Sequence, residues 1–124
     1  MARAPLNAQP LASLQQLPFS SGANDIVFQA PDTTNFNTFP LNGPGILIAK
    51  NTDSAIHHVT VHSAPSGKWS RTGDVTSYPV PVSTGNNVSV IGVFTPDGWS
   101  NSGFLNVDAD NADVMLAFVP LPNY

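Results

Sequence analysis

No glutamate occurs in this chain: all eight of its acidic residues are aspartate, and they stand among twelve prolines and nine glycines in 124 residues. That combination restricts the fold more than any other feature of the sequence. Glutamate is a good helix former, whereas aspartate competes with the helix backbone for hydrogen bonds and settles in caps and turns. Proline removes a backbone donor and glycine costs entropy inside a helix, yet both sit well at the corners of a sheet protein. The chain is therefore expected to be all-β.

From residue 25 onward, short apolar runs alternate with turn chemistry, which predicts strands over 25–30, 46–50, 56–63, 75–82, 87–95, 104–107 and 114–119. The polar Asn51-Thr52-Asp53-Ser54 loop between β-branched runs predicts a hairpin of the second and third of these. Pro79 and Pro81 mark 75–82 as an edge or irregular strand, while the valines and Ile91 mark 87–95 as a central one. Side-chain alternation sets His57, Val59 and Val61 opposite His58, Thr60 and His62, and the valines take the core.

A chain of this length buries one core. The expected architecture is a single-domain β-sandwich or β-barrel, jelly-roll-like, of seven to eight strands over 25–124, preceded by an extended arm over 1–24. The arm carries leucines at 6, 11, 14 and 17 among Pro5, Pro10 and Pro18, before the Ser20-Ser21-Gly22 break. Leu11, Leu14 and Leu17 have near-helical spacing, but so short a piece needs a surface to pack on, and the alternative is a frayed terminus.

Charged residues make up 10% of the chain, well under the ~25% of an ordinary soluble protein. Asn, Ser, Thr and Gln must cover the exterior, a surface that repels like molecules weakly and suits packing against neighbours. The net charge is −4, and Arg3, Lys50, Lys68 and Arg71 make no basic stripe, so no nucleic acid partner is expected. Without cysteine, neither disulfides nor thiolate metal sites contribute. No apolar run approaches the ~18 residues of a membrane span, and Asn7, Gln9, Pro10, Gln15 and Gln16 interrupt any signal-peptide core, so no membrane partner is expected.

The candidate chemistry is thin. His58 and His62 share a strand face but stand about 13 Å apart at the ordinary rise, too far to hold one ion. The run Asp108-Ala109-Asp110-Asn111-Ala112-Asp113 has alternating oxygen ligands, but it lacks the sixth-position glycine and twelfth-position glutamate of a calcium loop and predicts a surface turn. No G-x-S-x-G element surrounds any serine, and each aspartate stands in a turn-like context. Neither catalysis nor a cofactor is expected. Trp69, Tyr78 and Trp99 have three readings: core packing, a protein interface, or stacking on a sugar ring. Trp99 is the most suggestive, because it follows Pro96-Asp97-Gly98 in a loop.

The run Phe28-Gln29-Ala30-Pro31-Asp32-Thr33-Thr34-Asn35-Phe36-Asn37, then Leu41-Asn42-Gly43 before Ile46-Leu47-Ile48-Ala49-Lys50-Asn51, resembles small virion proteins of tailed bacteriophages. Their polar stretch likewise precedes a strand ending in Lys-Asn. Val59-Thr60-Val61 is similar to their Val-Thr-Val strand, Pro81-Val82 with Gly85 to their Val-Pro-Ala-Gly turn, and Ile91-Gly92-Val93-Phe94 to their Ile-Gly-Pro-Phe. The likeness spans about 26–119; Val93 in place of proline, the Pro79-Val80-Pro81 element and the arm depart from it. What it implies is a head decoration, or cement, protein that binds the virion capsid exterior, made in the host cytoplasm and often trimeric. Its partners would be the major capsid protein and further copies of itself. Apolar residues outside the strand pattern are the expected capsid or subunit contacts: Leu6, Leu11, Leu14, Leu17 and Phe19 in the arm, Trp99, and Leu121 and Tyr124 at the C-terminus. Deleting residues 1–20 is expected to weaken capsid binding and leave the β-fold intact. The competing expectations are a collar, tail or fibre component and a carbohydrate-binding module.

Overall fold

The computed structural model describes residues 2–8, 26–64, 73–85 and 87–121. Among them are eight strands: β1 (Ala4–Pro5), β2 (Asn37–Pro40), β3 (Gly45–Asn51), β4 (His57–His62), β5 (Val75–Val80), β6 (Val88–Phe94), β7 (Phe104–Ala109) and β8 (Val114–Pro120). They form a five-stranded sheet in the order β1-β2-β7-β4-β5 and a three-stranded sheet in the order β6-β3-β8, and neither closes into a barrel. The β1–β2 pair is parallel; the other pairs are antiparallel. The all-β expectation holds.

One core joins the two sheets. Phe39, Val59, Val61, Val80, Leu105 and Val107 from the larger sheet and Leu47, Ile91, Phe94, Leu116 and Phe118 from the smaller belong to a single buried cluster. Phe39 stacks on Phe118 across it with ring centroids 5.7 Å apart. Val59 and Val61 are fully buried while His58, Thr60 and His62 are half-buried on the opposite face, as the alternation predicts. The expected surface turn after β7 is also present: Asn111 accepts the Asp113 N–H on its side-chain oxygen at 2.8 Å and bends the chain into β8.

Several expectations are overturned. The 46–50 and 56–63 runs do not form a hairpin, because β3 and β4 lie in different sheets. Asn51 makes the corner: wholly buried, its side-chain N–H donates to the carbonyls of Ala55 and Val80, and its oxygen accepts the Asp53 N–H. Satisfied on every side, that amide turns the chain from one layer to the other. Residues 26–30 are not a strand; Gln29 alone bridges, to Leu116 on β8. The reason lies just downstream, where the Asp32 carboxylate accepts the N–H groups of Thr34 and Asn35 and pulls the chain out of register.

The 87–95 run, expected in the centre of a sheet, is the edge strand β6. Valine favours a pleated surface at an edge as well as at a centre, so its abundance did not discriminate. The 75–82 run is an edge, as its prolines require: β5 ends the five-stranded sheet. Finally, the first residues are part of the sheet. The Ala4 and Leu6 N–H groups donate to Phe36 and Thr38, and the buried Asn37 side chain donates to the Ala4 carbonyl.

Candidate functional site

Two surfaces gather side chains that are not simply core. The first is the outer face of the five-stranded sheet, where alternation along β4 sets His58 and His62 beside aspartates of β7 and the loops. His62 lies between two carboxylates, its Nδ1 3.1 Å from Asp74 and its Nε2 2.7 Å from Asp108. A neutral imidazole has one donor nitrogen, so both contacts are hydrogen bonds only when both nitrogens carry protons. On that face Asp110 accepts the His58 N–H at 3.0 Å while standing 3.3 Å from His58 Nδ1; at the start of β4, in the opposite phase of the alternation, His57 Nε2 is 2.7 Å from Asp53. Arg3 completes the array by pairing with Asp108 and lying 5.8 Å from the Phe36 ring centre.

These contacts fix the ionisation of two carboxylates. The His57 ring, helped by the Ser54 N–H, holds Asp53 below the usual range, and the Ser63 N–H and hydroxyl, helped by His62, do the same for Asp74. A shallow depression of about 390 Å³ lies beside the array, lined by Thr33, Phe36, His58, Thr60, Ser77 and Asp110. Its chemistry is directed inward. Ser63 gives its hydroxyl to Asp74, and Thr60 accepts the Ser77 N–H. No group of three or more metal-ligating side chains gathers among the described residues either. As arranged, the array cross-links β1, β4, β7 and the loop before β5.

The second surface is the seam where β5 and β6, the last strands of the two sheets, run side by side. Here Val88, Val90, Val93 and Tyr78 are all exposed, Val90 to 60%. A groove of about 390 Å³ lies along the seam, lined by Val75, Tyr78, Val90, Val93, Phe94 and Trp99, none of them charged. The exposed surface stops at β6: Ile48, which pairs with Val90, and Ala117, which pairs with Ile48, are both buried.

Comparison with known proteins finds no relative. No protein-family model matches the chain, and neither a curated protein nor a solved structure matches it. The seam and the histidine face thus stand on their own geometry.

The structure scatters the expected contact residues. Leu6 packs against the core of its own chain, and its backbone is bonded to β2. Trp99 is 7% exposed in the core, edge-on to Phe94 at 4.7 Å, so the first of its three readings describes it. A turn puts it there: Asp97 (φ −68°, ψ 113°) and Gly98 (φ 88°, ψ −7°) have type II geometry, whose third position demands a glycine-like φ. Leu121 is half-buried and donates its N–H to the Pro44 carbonyl at 2.8 Å. Leu11, Leu14, Leu17, Phe19, Tyr124 and Trp69 lie outside the described residues.

The seam itself was missed. Alternation in Val88-Ser89-Val90-Ile91 does separate the two sets, but the usual rule would bury the valines and expose the serine. The structure does the reverse, because Ile91 and Phe94 enter the core and Ser89 finds the Pro79 carbonyl at 3.3 Å.

Proposed function

We propose that this chain is a structural virion protein that decorates the outside of a bacteriophage capsid and braces neighbouring capsid subunits through apolar contact. The observation that carries this reading is the uncharged, exposed seam of Tyr78, Val88, Val90 and Val93 in a chain of which only 10% of the residues are charged. Contiguous apolar surface on a small protein marks a place where another macromolecule sits. The resemblance to phage virion proteins supplies the kind of partner, the major capsid protein, and the trimeric state; its Val59-Thr60-Val61 and Ile91-Gly92-Val93-Phe94 segments fall within β4 and β6.

The two core-sharing sheets are read as a β-sandwich of the jelly-roll kind. In support, the chain changes sheet at each connection from β2 to β8 except β4 to β5. A capsid offers many equivalent sites at high local density, so modest single contacts add up to firm attachment.

The test is addition of purified protein to capsids that lack it, followed by sedimentation and imaging. Stoichiometric binding at regular shell positions, with raised heat resistance of the shell, is the expected result. Protein left in the supernatant rejects the reading, and labelling confined to a collar, tail or fibre replaces it with that assignment. A sugar platform built on Trp99 is disfavoured by the burial of that ring, and loss of glycan binding in Trp99→Ala would be needed to revive it.

A further inference from the structure

The connection between β2 and β3 carries a reactive dipeptide that its surroundings leave open. Asn42-Gly43 is the one place in the chain where glycine follows asparagine. In such a pair the backbone nitrogen of the glycine can reach the side-chain carbonyl carbon of the asparagine, because no Cβ on the second residue hinders the approach. In a folded protein the attack needs water at the amide, a glycine N–H that is not hydrogen-bonded, and a backbone free to close a five-membered ring.

This corner meets those needs. Asn42 is exposed, and among the described residues neither its side-chain amide nor the Gly43 N–H has a hydrogen-bond partner. A Cβ built on Gly43 would meet no atom within 4 Å, so no neighbour shields the nitrogen. The bonds that hold the corner lie to either side of the pair. Leu41 is buried and donates its N–H to the Gly103 carbonyl at 2.9 Å, and the Pro44 carbonyl accepts the Leu121 N–H at 2.8 Å. Between those fixed points Asn42 and Gly43 belong to no strand.

The fold withholds the same reaction from comparable positions. Gly98, which follows Asp97, is buried. Asn51 is buried with both ends of its amide bonded, and the Asn111 side-chain oxygen accepts the Asp113 N–H. The Asn101 backbone is bonded to Phe104 through both its N–H and its carbonyl, at 2.7 and 3.1 Å.

We infer that Asn42 is a site of spontaneous modification, deamidated through a cyclic imide formed with Gly43. The Gly43 nitrogen gives its proton to hydroxide and attacks Asn42 Cγ. A C–N bond forms, the Cγ–Nδ2 bond breaks, and the departing nitrogen takes a proton from water and leaves as ammonia. Water then adds to either carbonyl of the ring and reopens it as aspartate or isoaspartate; nothing is oxidised or reduced. Both products add one negative charge to the net −4. Isoaspartate also lengthens the main chain by one carbon between Leu41 and Gly45, neither of which can shift: the first is buried and the second abuts the Phe118 ring. It is therefore the product that strains the fold. The inference does not depend on the virion reading.

Holding the full chain in warm, mildly alkaline buffer for days, with samples taken for peptide mapping by mass spectrometry, tests it. The expected result is a gain of one mass unit located at Asn42, ahead of every other described asparagine, with isoaspartate detected by enzymatic methylation. Gly43→Ala fits the open space and a backbone that is not left-handed, so it should keep the far-UV spectrum and slow the change by an order of magnitude or more. As a second variant, Asn42→Gln would have to close a larger ring and should slow it as strongly. An Asn42 that stays unchanged in the folded chain overturns the inference. So does a rate indifferent to both substitutions, or aspartate as the sole product, which would mean direct hydrolysis without the ring.

Discussion

Gly45 is a glycine because of its neighbour. A Cβ built there would lie 2.2 Å from the Phe118 ring, and that ring is buried and stacked on Phe39, so it has nowhere to go. Gly45→Ala should therefore destabilise the fold by about 1–3 kcal/mol, the usual range for overpacking, read as a lower urea midpoint with an unchanged slope. Asn51 is the polar counterpart. Replacing it by Ala strands the carbonyls of Ala55 and Val80 and the N–H of Asp53, at about 1–3 kcal/mol for each group that water fails to reach. Chemical denaturation of Asn51→Ala checks this, and a loss below ~0.5 kcal/mol would mean that the corner is held by packing instead. From sequence, Asn51 read as the start of a polar turn, which it is; its burial was invisible, because a turn asparagine on the surface has the same neighbours in the chain.

At the level of elements, the N-terminal segment changes character most between sequence and structure. Its prolines and spaced leucines read as an arm, but β1 takes a place in the five-stranded sheet and Arg3 is bonded to β2 and β7 as well as to Asp108. Asn7 and the Gln29 side chain exchange two further bonds at 3.1 and 2.7 Å. Removing residues 1–8 should consequently lower stability by about 1–3 kcal/mol, since it strips a partly buried leucine and a salt bridge from the sheet. A thermal melt of the shortened chain checks this; an unchanged midpoint would return these residues to the status of a detached arm. The strand runs were legible where β-branched residues alternate with polar ones, as in β4, or where a short unbroken apolar run stands between turns, as in β3 and β8. β2, Asn-Thr-Phe-Pro, was not, because a four-residue strand with one aromatic gives no period to read. Its place is assigned by β7, more than sixty residues away in the chain.

Across the whole molecule, acid stability should follow the aspartates. The Asn35 and Thr34 N–H groups hold Asp32 below its ordinary range, as their own partners hold Asp53 and Asp74. Each of these groups binds its proton less readily in the folded state than in the unfolded one. Their contribution is complete above the ordinary value of about 3.9 and is lost as pH falls through the depressed values. The urea midpoint should fall between about pH 5 and about pH 2, and less steeply in Asp32→Asn; a flat profile would show that these hydrogen bonds persist in the unfolded chain. Composition by itself determined the class of this protein: without glutamate and with prolines and glycines at short intervals, the backbone could satisfy its donors and acceptors only in short strands and turns. Alternation determined which side of β4 is wet. Tertiary structure alone decided which strands are neighbours, and through that which strands are edges. Pairing partners lie far apart in the chain, and a valine that seals a core is written the same way as one that waits at an edge.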